Sequence, residues 1–542
     1  MVKDFIRDLK DEFKGYNAKT MKKDLLAGLT VTAVALPLAL AFGVSCGATA
    51  AAGLITAILA GLIIGAFSGG SFQISGPTGA MSVILLVLFQ KYGMQGVLLT
   101  GVMSGLVLII AGVLRFGKIV SFIPSPVMSG FTSGIAIIIA LGQIDNFLGI
   151  HSANSHSAIV KLVGYFTNSI HPNWQAVILG LIVIAAMILW PKKLSKIIPS
   201  SLAAIILALL VSVVFQLDTR TIGQIPQTLL PGDRLFLDSI KLSQIDDMIV
   251  PALSIAALGM IESLLCGTVG GKMSGKRFNP NRELVAQGIG NAIIPFFGGV
   301  PATAAIARSS VGIKSGGVTR MVGIVHSAGL LISMFLLAPV MSKIPLSALA
   351  GVLMVTAFRM NEWDKIKYIF GKRLKWGILK YTITMAATVM LDLTQAIVIG
   401  VVLSVFMFLL KISEIEIGME AVKPDKLPGY KGNPEDRDVR VCYITGPIFF
   451  PTVDKLLAML SESGKPDVLI LSMRGVPLID LTGVEALSDY HRQMMTENRR
   501  LFLSGLQPNV NRLLKKSGFT EELGTDKIFW SADKAIVSAY EI

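Results

Sequence analysis

Residues 71–86 read SFQISGPTGAMSVILL, and residues 296–312 read FFGGVPATAAIARSSVG. In each stretch a polar, glycine-rich lead ends at a proline, Pro77 or Pro301, and a short apolar run follows, about 77–89 and 301–311. Proline suits the start of a helix, where the amide hydrogen it lacks would have no intrahelical acceptor. Both stretches are read as short helices beginning at these prolines. The surrounding chain is membrane-like: 53% of its 542 residues are hydrophobic, only 15% are charged, and the mean hydropathy is +0.67. Soluble domains carry about 25% charged residues. A helix that starts at membrane depth must bury its first-turn amides in protein or offer them to a ligand. Free amides and the helix dipole together favour an anion.

About 20 apolar residues cross a bilayer. Further apolar runs lie at about 25–45, 48–67, 96–114, 119–141, 174–190 and 197–216, then 249–267, 284–297, 319–339, 345–358, 376–391 and 393–410. With the two short segments these make fourteen, dividing as seven plus seven (about 25–216 and 245–410), and the short proline-led segment is third in each half. Matching interrupted segments in two halves point to a transporter site between inverted repeats. Charge supports the even count. With a cytoplasmic N-terminus, the inner loops hold Lys192, Lys193 and Lys196; Lys272, Lys276, Arg277 and Arg282; and Arg359, Lys365, Lys367, Lys372, Arg373 and Lys375. The outer loop 217–247 sets Arg220, Arg234 and Lys241 against Asp218, Asp233, Asp238, Asp246 and Asp247. That is the positive-inside pattern.

The mixed-charge opening, 1–24, reads as a cytoplasmic segment rather than a cleavable signal peptide. Residues 411–437, with Pro424, Pro428 and Pro434, read as a linker. Residues 438–542 alternate expected strands (439–445, 467–473, 500–505) with expected helices (451–461, 482–495, 507–517, 531–539), with Ser531 as an N-cap, forming an α/β domain placed in the cytoplasm. The net charge of +14 is explained by membrane orientation, with no zinc-finger spacing or RNP-like strand to suggest nucleic acid. Cys46, Cys266 and Cys442 are too dispersed for a disulfide framework or a metal site. GLIIGAFSGG (61–70) reads as helix packing, and GTVGGKMSGK (267–276) lacks the phosphate-loop spacing. No nucleophile–base set points to an enzyme.

Two opposed half-helix N-termini could hold an anion, with Ser75, Thr78, Ser82, Thr303 and Ser309 as hydroxyl donors. Arg308, seven residues and about two turns after Pro301, would add positive potential. Glu262 lies well inside an apolar run. A carboxylate there is costly unless paired, solvated or protonated, which makes it a candidate for proton exchange or for balancing Arg308. Asp392 reads as a loop residue between the last two spans, and His151, His156 and His171 as loop residues without metal-site spacing. His326, inside a span, suits a hydrogen-bonded packing role at least as well as proton transfer.

The chain resembles the sulfate permease (SulP) anion transporter family, whose animal relatives include the motor protein prestin. The resemblance rests on LTVTAVALPLALAFGVSCGATAAAGL (29–54), SFQISGPTGAMS (71–82), FIPSPVMSGFTSGIAIII (122–139), NRELVAQGIGN (281–291) and GGVPATAAIARSS (298–310). The C-terminal domain resembles the family's STAS domain. The resemblance implies a polytopic α-helical membrane protein of fourteen segments in two inverted seven-segment repeats, with core and gate domains, elevator-type alternating access and a homodimer. It also implies a substrate site at Phe42, Gly76, Pro77, Thr78, Ala302, Thr303 and Arg308, with Glu262 alongside. Leu38 stands where many members have glutamine. Cys266 stands where bicarbonate members thought to use sodium have a hydroxyl, and it favours the proton over sodium as coupling ion. IDLTGVEAL (479–487) resembles the phosphorylated STAS motif, placing Thr482 at the modified position and as a helix cap.

These readings imply a secondary oxyanion transporter of a prokaryotic inner membrane, with both termini cytoplasmic and no cofactor or bound metal. Sulfate comes first, and C4-dicarboxylates (succinate, fumarate) and bicarbonate are the alternatives. An exchanger, a channel or a signalling protein acting through a STAS partner are the rival classes.

Overall fold

A computed structural model describes the chain except residues 1, 119–122, 151–164, 166–170, 192, 195–197, 237–241, 392, 424–436, 463 and 542. His151, His156, Lys192, Lys196, Asp238, Lys241, Asp392, Pro424, Pro428 and Pro434 lie outside the described residues. The chain divides into two units, Met1–Val402 and Leu403–Ile542.

Helix starts in the first unit follow local capping chemistry. α1 spans Val2–Phe13. α2, Ala18–Ser45, opens where the Asn17 side chain accepts the Thr20 amide, and α3, Ala50–Phe67, where Thr49 accepts that of Ala52. A π-helical turn, Ala60–Ile64, interrupts α3. A two-residue strand β1, Ser75–Gly76, precedes α4, Gly79–Val113. Gly93, at φ 68° and ψ −172°, breaks α4 into two helices, as the separate runs in sequence anticipate. Then come α5 (Ser125–Gly142), α6 (Ile144–Leu148), α7 (Trp174–Leu189) and α8 (Ser200–Val214).

The second half runs α9 (Leu242–Ser274), α10 (Pro280–Ile293), β2 (Thr303–Ala304) and α11 (Ile306–Lys314). It continues through α12 (Met321–Met341), α13 (Leu346–Met360), α14 (Trp363–Gly371), α15 (Lys375–Met390) and α16 (Leu393–Ile412). Every apolar segment read from the sequence has a helix here. Among the described residues, seven helices are individually long and apolar enough to cross a membrane.

Small residues let these helices touch backbone to backbone. A Cβ on Gly105 of α4 would lie 2.7 Å from the Gly288 carbonyl oxygen, and one on Gly288 of α10 would lie 2.5 Å from that of Gly105. Without water, close packing of this kind is a main force holding membrane helices together.

The C-terminal unit builds a five-stranded sheet in the order β3 (Glu416–Ala421), β4 (Val439–Thr445), β5 (Val468–Gly475), β6 (Arg500–Ser504) and β7 (Ile528–Phe529). β3 pairs antiparallel with β4, and the remaining pairs are parallel. The parallel pairs are joined through helices: α17 (Val453–Glu462), α18 (Leu481–Thr496), α19 (Pro508–Lys516) and α20 (Phe519–Leu523). α21 (Ala532–Glu541) closes the chain. β3 falls inside the stretch expected to be linker. Its alternating half-buried residues, Ile417 and Met419, pack on the sheet's core.

Candidate functional site

β1 and β2 come from opposite halves and pair antiparallel, Ser75 against Ala304 and Gly76 against Thr303. Each strand runs directly into a helix, so the pairing brings the N-termini of α4 and α11 to one place. The two ends differ. Thr78 caps α4, accepting the Met81 amide at 3.4 Å, whereas Ala305 precedes α11 with no side-chain cap. The first amides of each helix have no intrahelical acceptor.

Contrary to the sequence reading, the prolines do not begin these helices. α4 starts at Gly79 and α11 at Ile306, beyond extended residues that include the strands. The strand pairing satisfies backbone groups that a helix would otherwise have to bond. Arg308 is therefore the third residue of α11, not two turns along it. Arg308 is 1% exposed; its guanidinium donates through Nη2 to the Pro77 carbonyl at 2.6 Å, and Nε and Nη1 have no hydrogen-bond partner. A Cβ on Gly76 would lie 2.0 Å from Nη1, so glycine there makes room for the cation.

Glu262, half-buried on α9, does not pair with Arg308; its Oε2 accepts the Thr78 hydroxyl at 2.8 Å. Phe42 is buried on α2, and its ring lies 3.2 Å from where a Gly79 Cβ would stand. Phe42, Gly76, Pro77, Thr78, Glu262 and Arg308 thus surround the start of α4.

The other expected hydroxyls already have partners within the fold. Ser82 donates to its own helix at Gly79. Ser309 accepts the Ile74 amide at 3.0 Å, and Cys266 donates to it at 3.4 Å. Thr303 shares a 2.8 Å hydrogen bond with Ser263, and Ser75 accepts from Gln287 at 2.8 Å. Ala302 is likewise occupied, its amide donating to Asn291 Oδ1 at 2.6 Å and its carbonyl accepting from Asn291 Nδ2 at 2.9 Å. His326 is fully buried, and neither ring nitrogen has a partner, in contrast to the expected hydrogen-bonded role. Among the described residues, no group of three or more histidine, cysteine, aspartate or glutamate side chains could hold a metal ion.

The supporting residues on α10 escape a reading centred on glycine and proline. Glu283, Gln287 and Asn291 recur every fourth residue and are fully buried. That polar stripe, continuing along one face where the helix after its first turn is otherwise small and apolar, is the signal that could have found them. In the C-terminal unit Thr482 is exposed and is not the cap. Asp480 caps α18, accepting the Gly483 amide at 2.8 Å and the Phe450 amide at 3.0 Å. A carboxylate one residue outside the helix reaches both amides, and the threonine is already in the first turn.

Comparison with known proteins matches residues 21–387 to the sulfate permease family and residues 430–535 to the STAS domain. The putative sulfate transporter YvdB of Bacillus subtilis is 34% identical over 532 residues, covering 95% of this chain and 97% of that protein. The bicarbonate transporter BicA of Picosynechococcus is 28% identical, covering 96% and 95%. The murine Slc26a9 anion transporter shares the fold at a TM-score of 0.84 and 18% identity, covering 97% of this chain and 92% of that one. The transmembrane domain of a cyanobacterial BicA superposes at 0.64 with 29% identity, covering 72% and 98%. The chain belongs to the sulfate permease family of anion transporters, a helical membrane protein with a C-terminal STAS domain and not an enzyme.

Proposed function

We propose that this protein is a proton-coupled secondary transporter of a small oxyanion, with sulfate as the first candidate. The anion lies between the N-termini of α4 and α11, facing their free amides, with Arg308 behind Gly76 supplying a positive charge. The hydrogen bond from Thr78 to Glu262 carries this reading. Ionised Glu262 places negative charge beside the anion and claims the Thr78 hydroxyl proton. Protonation removes that charge and frees the hydroxyl to donate to the anion. Proton and anion then bind better together than apart, the thermodynamic requirement for symport.

Symport also answers the electrical cost. Each negative charge entering against an inside-negative potential of 100 mV costs about 2.3 kcal/mol. A proton carried inward with the anion cancels that cost charge for charge. The anion site moves between the two faces as one core unit against a stationary gate. The protein works in a prokaryotic inner membrane as a homodimer, with both termini and the STAS domain in the cytoplasm, an orientation that the distribution of basic loops supports.

The test is uptake of labelled sulfate, succinate and bicarbonate into proteoliposomes, with and without an inward proton gradient, for wild type and Glu262→Gln. Gradient-driven sulfate uptake that the substitution abolishes is the expected result. Uptake indifferent to both gradient and substitution would refute coupling and favour exchange or a channel. The similarity to BicA makes bicarbonate the second substrate to try.

A further inference from the structure

A second carboxylate is buried in the membrane unit, and no step above uses it. Glu283, in the first turn of α10, is fully buried. Its Oε2 accepts the Ser68 hydroxyl at 2.6 Å and the Gly69 amide at 2.8 Å, and its Oε1 accepts the Gln287 side-chain amide at 2.8 Å. Gln287 also donates to Ser75 Oγ at 2.8 Å. Ser68 and Gly69 begin the connection from α3, and Ser75 begins β1. The carboxylate holds the 68–69 end of the segment 68–75 directly, and Gln287, bonded to the same carboxylate, holds the Ser75 end, so both ends are tied to α10.

The fit around it is close. A Cβ on Gly69 would lie 2.0 Å from the Asn279 carbonyl oxygen. The neighbouring Arg282 donates to the Ser68 and Gly69 carbonyls, each at 3.2 Å. A buried carboxylate is expensive unless its oxygens are satisfied, and three donors converge on this one, two from the 68–69 turn and one from the next turn of α10. A glutamine in its place offers a single acceptor oxygen and would present its own donor to one of those three.

We propose that Glu283 is a positioning residue of the anion site: through Gln287 and the 68–69 turn it sets the position of β1, and with it the amides that open α4. This inference rests on reading the β1–β2 crossing as the anion site. Glu283 itself does not touch the anion. It acts on the strand whose next residues are Gly76, Pro77 and Thr78.

The experiment is hydrogen exchange of the full-length protein in lipid nanodiscs without added anion, for wild type, Glu283→Gln, Gln287→Leu, Ser75→Ala and the Glu283→Gln/Ser75→Ala double variant. Glu283→Gln is expected to speed exchange about tenfold in peptides covering 68–76 and 303–305, leaving α15, α16 and the STAS domain unchanged. Gln287→Leu and Ser75→Ala should act at 74–76 but not at 68–70. The double variant should be no faster at 74–76 than Glu283→Gln alone. Acceleration spread over the whole membrane unit, or wild-type exchange at 68–76, would overturn the proposal.

A kinetic arm separates positioning from general damage. The half-saturating sulfate concentration should rise about tenfold in Glu283→Gln with little change in maximal rate, and Glu283→Asp, which keeps the carboxylate, should recover part of it. Equal loss of both parameters, with no recovery by aspartate, would also overturn it. Failure of sulfate to slow wild-type exchange at 76–80 would instead count against the anion-site reading, and the ligand-free comparison would still decide the role of Glu283.

Discussion

Thr78 Oγ1 donates to Glu262 Oε2 at 2.8 Å and itself accepts the Met81 amide at 3.4 Å. One side chain thus links the start of a half-helix to the carboxylate proposed to carry the proton. Thr78→Val keeps the shape and removes both bonds. Loss of the cap alone costs about 1 kcal/mol. Gradient-driven anion uptake should fall at least about tenfold, and Thr78→Ser should restore most of it. Normal uptake by the valine variant would remove Thr78 from the mechanism.

Gly76 and Arg308 make a second, steric prediction. Nη1 stands 2.0 Å from where an alanine Cβ would be, and the guanidinium is too buried to swing into water. Gly76→Ala should displace the cation and weaken anion binding by about 2 kcal/mol, or roughly thirtyfold. Calorimetric titration with sulfate measures this. Wild-type affinity in the alanine variant would mean that Arg308 does not act from that position.

Asn291 supplies both partners of the Ala302 peptide groups. Asn291→Leu leaves a buried amide and a buried carbonyl unpaired, at a cost of about 1–3 kcal/mol each. The denaturation midpoint of the purified protein should drop, and Asn291→Asp, which still accepts the amide, should drop less.

Within the membrane unit, α1 is tied to two separate chain segments. Glu12 pairs with Arg320 at 2.8 Å, with the side chains 10% and 5% exposed, and Asp8 pairs with Arg282 at 2.7 Å. The Phe5 ring lies under both guanidiniums. Breaking a buried pair from one side strands the remaining charge, at a cost on the order of 3 kcal/mol. Glu12→Gln should therefore lower the denaturation midpoint more than Asp8→Asn, whose carboxylate is 43% exposed. Equal effects would mean that burial does not set the strength of this contact.

The STAS domain carries a pH prediction. Burial pushes the His491 imidazole below its ordinary value of 6.5, and nearby Lys527 adds to the effect. The folded domain favours the neutral ring. Above pH 6.5 both folded and unfolded states hold it neutral, and stability is at its maximum. As pH falls through 6.5 toward the lower folded value, the unfolded state takes the proton first and stability is lost. Exchange across α18 and β6, corrected for intrinsic rates, should quicken between pH 7.5 and 5.5 (about one unit either side of the ordinary imidazole value). His491→Phe should flatten that change.

Much of the architecture is local in origin and so was legible in sequence. Apolar length placed every membrane helix, and alternation placed β4, β5 and β6 within about a residue or two of their ends. β3 escaped because its edge position leaves it mostly polar and exposed. Part of the site was legible too. Pro77 and Pro301 marked where the backbone leaves the helical pattern, and Glu262 and Arg308 stood out as charges in apolar text.

The remainder depended on which chain segments meet. The extended backbone beside each proline, in place of a helix start, belongs to a strand pair made across more than 220 positions of sequence: Ser75–Gly76, just before Pro77, with Thr303–Ala304, two residues after Pro301. No local propensity specifies a two-residue strand; its hydrogen bonds exist only when the partner arrives. The same holds for hydroxyls that looked like ligand donors. Ser82 turned back to its own helix, and Ser309, Thr303 and Ser75 took up backbone and side-chain groups of neighbouring elements. Composition and periodicity determine how much of a chain enters a membrane and where it breaks, because those depend on each segment's own transfer free energy. Which buried polar groups remain free to meet a ligand was decided by tertiary structure, because in a dry interior each must first find a partner among whatever the fold brings within reach.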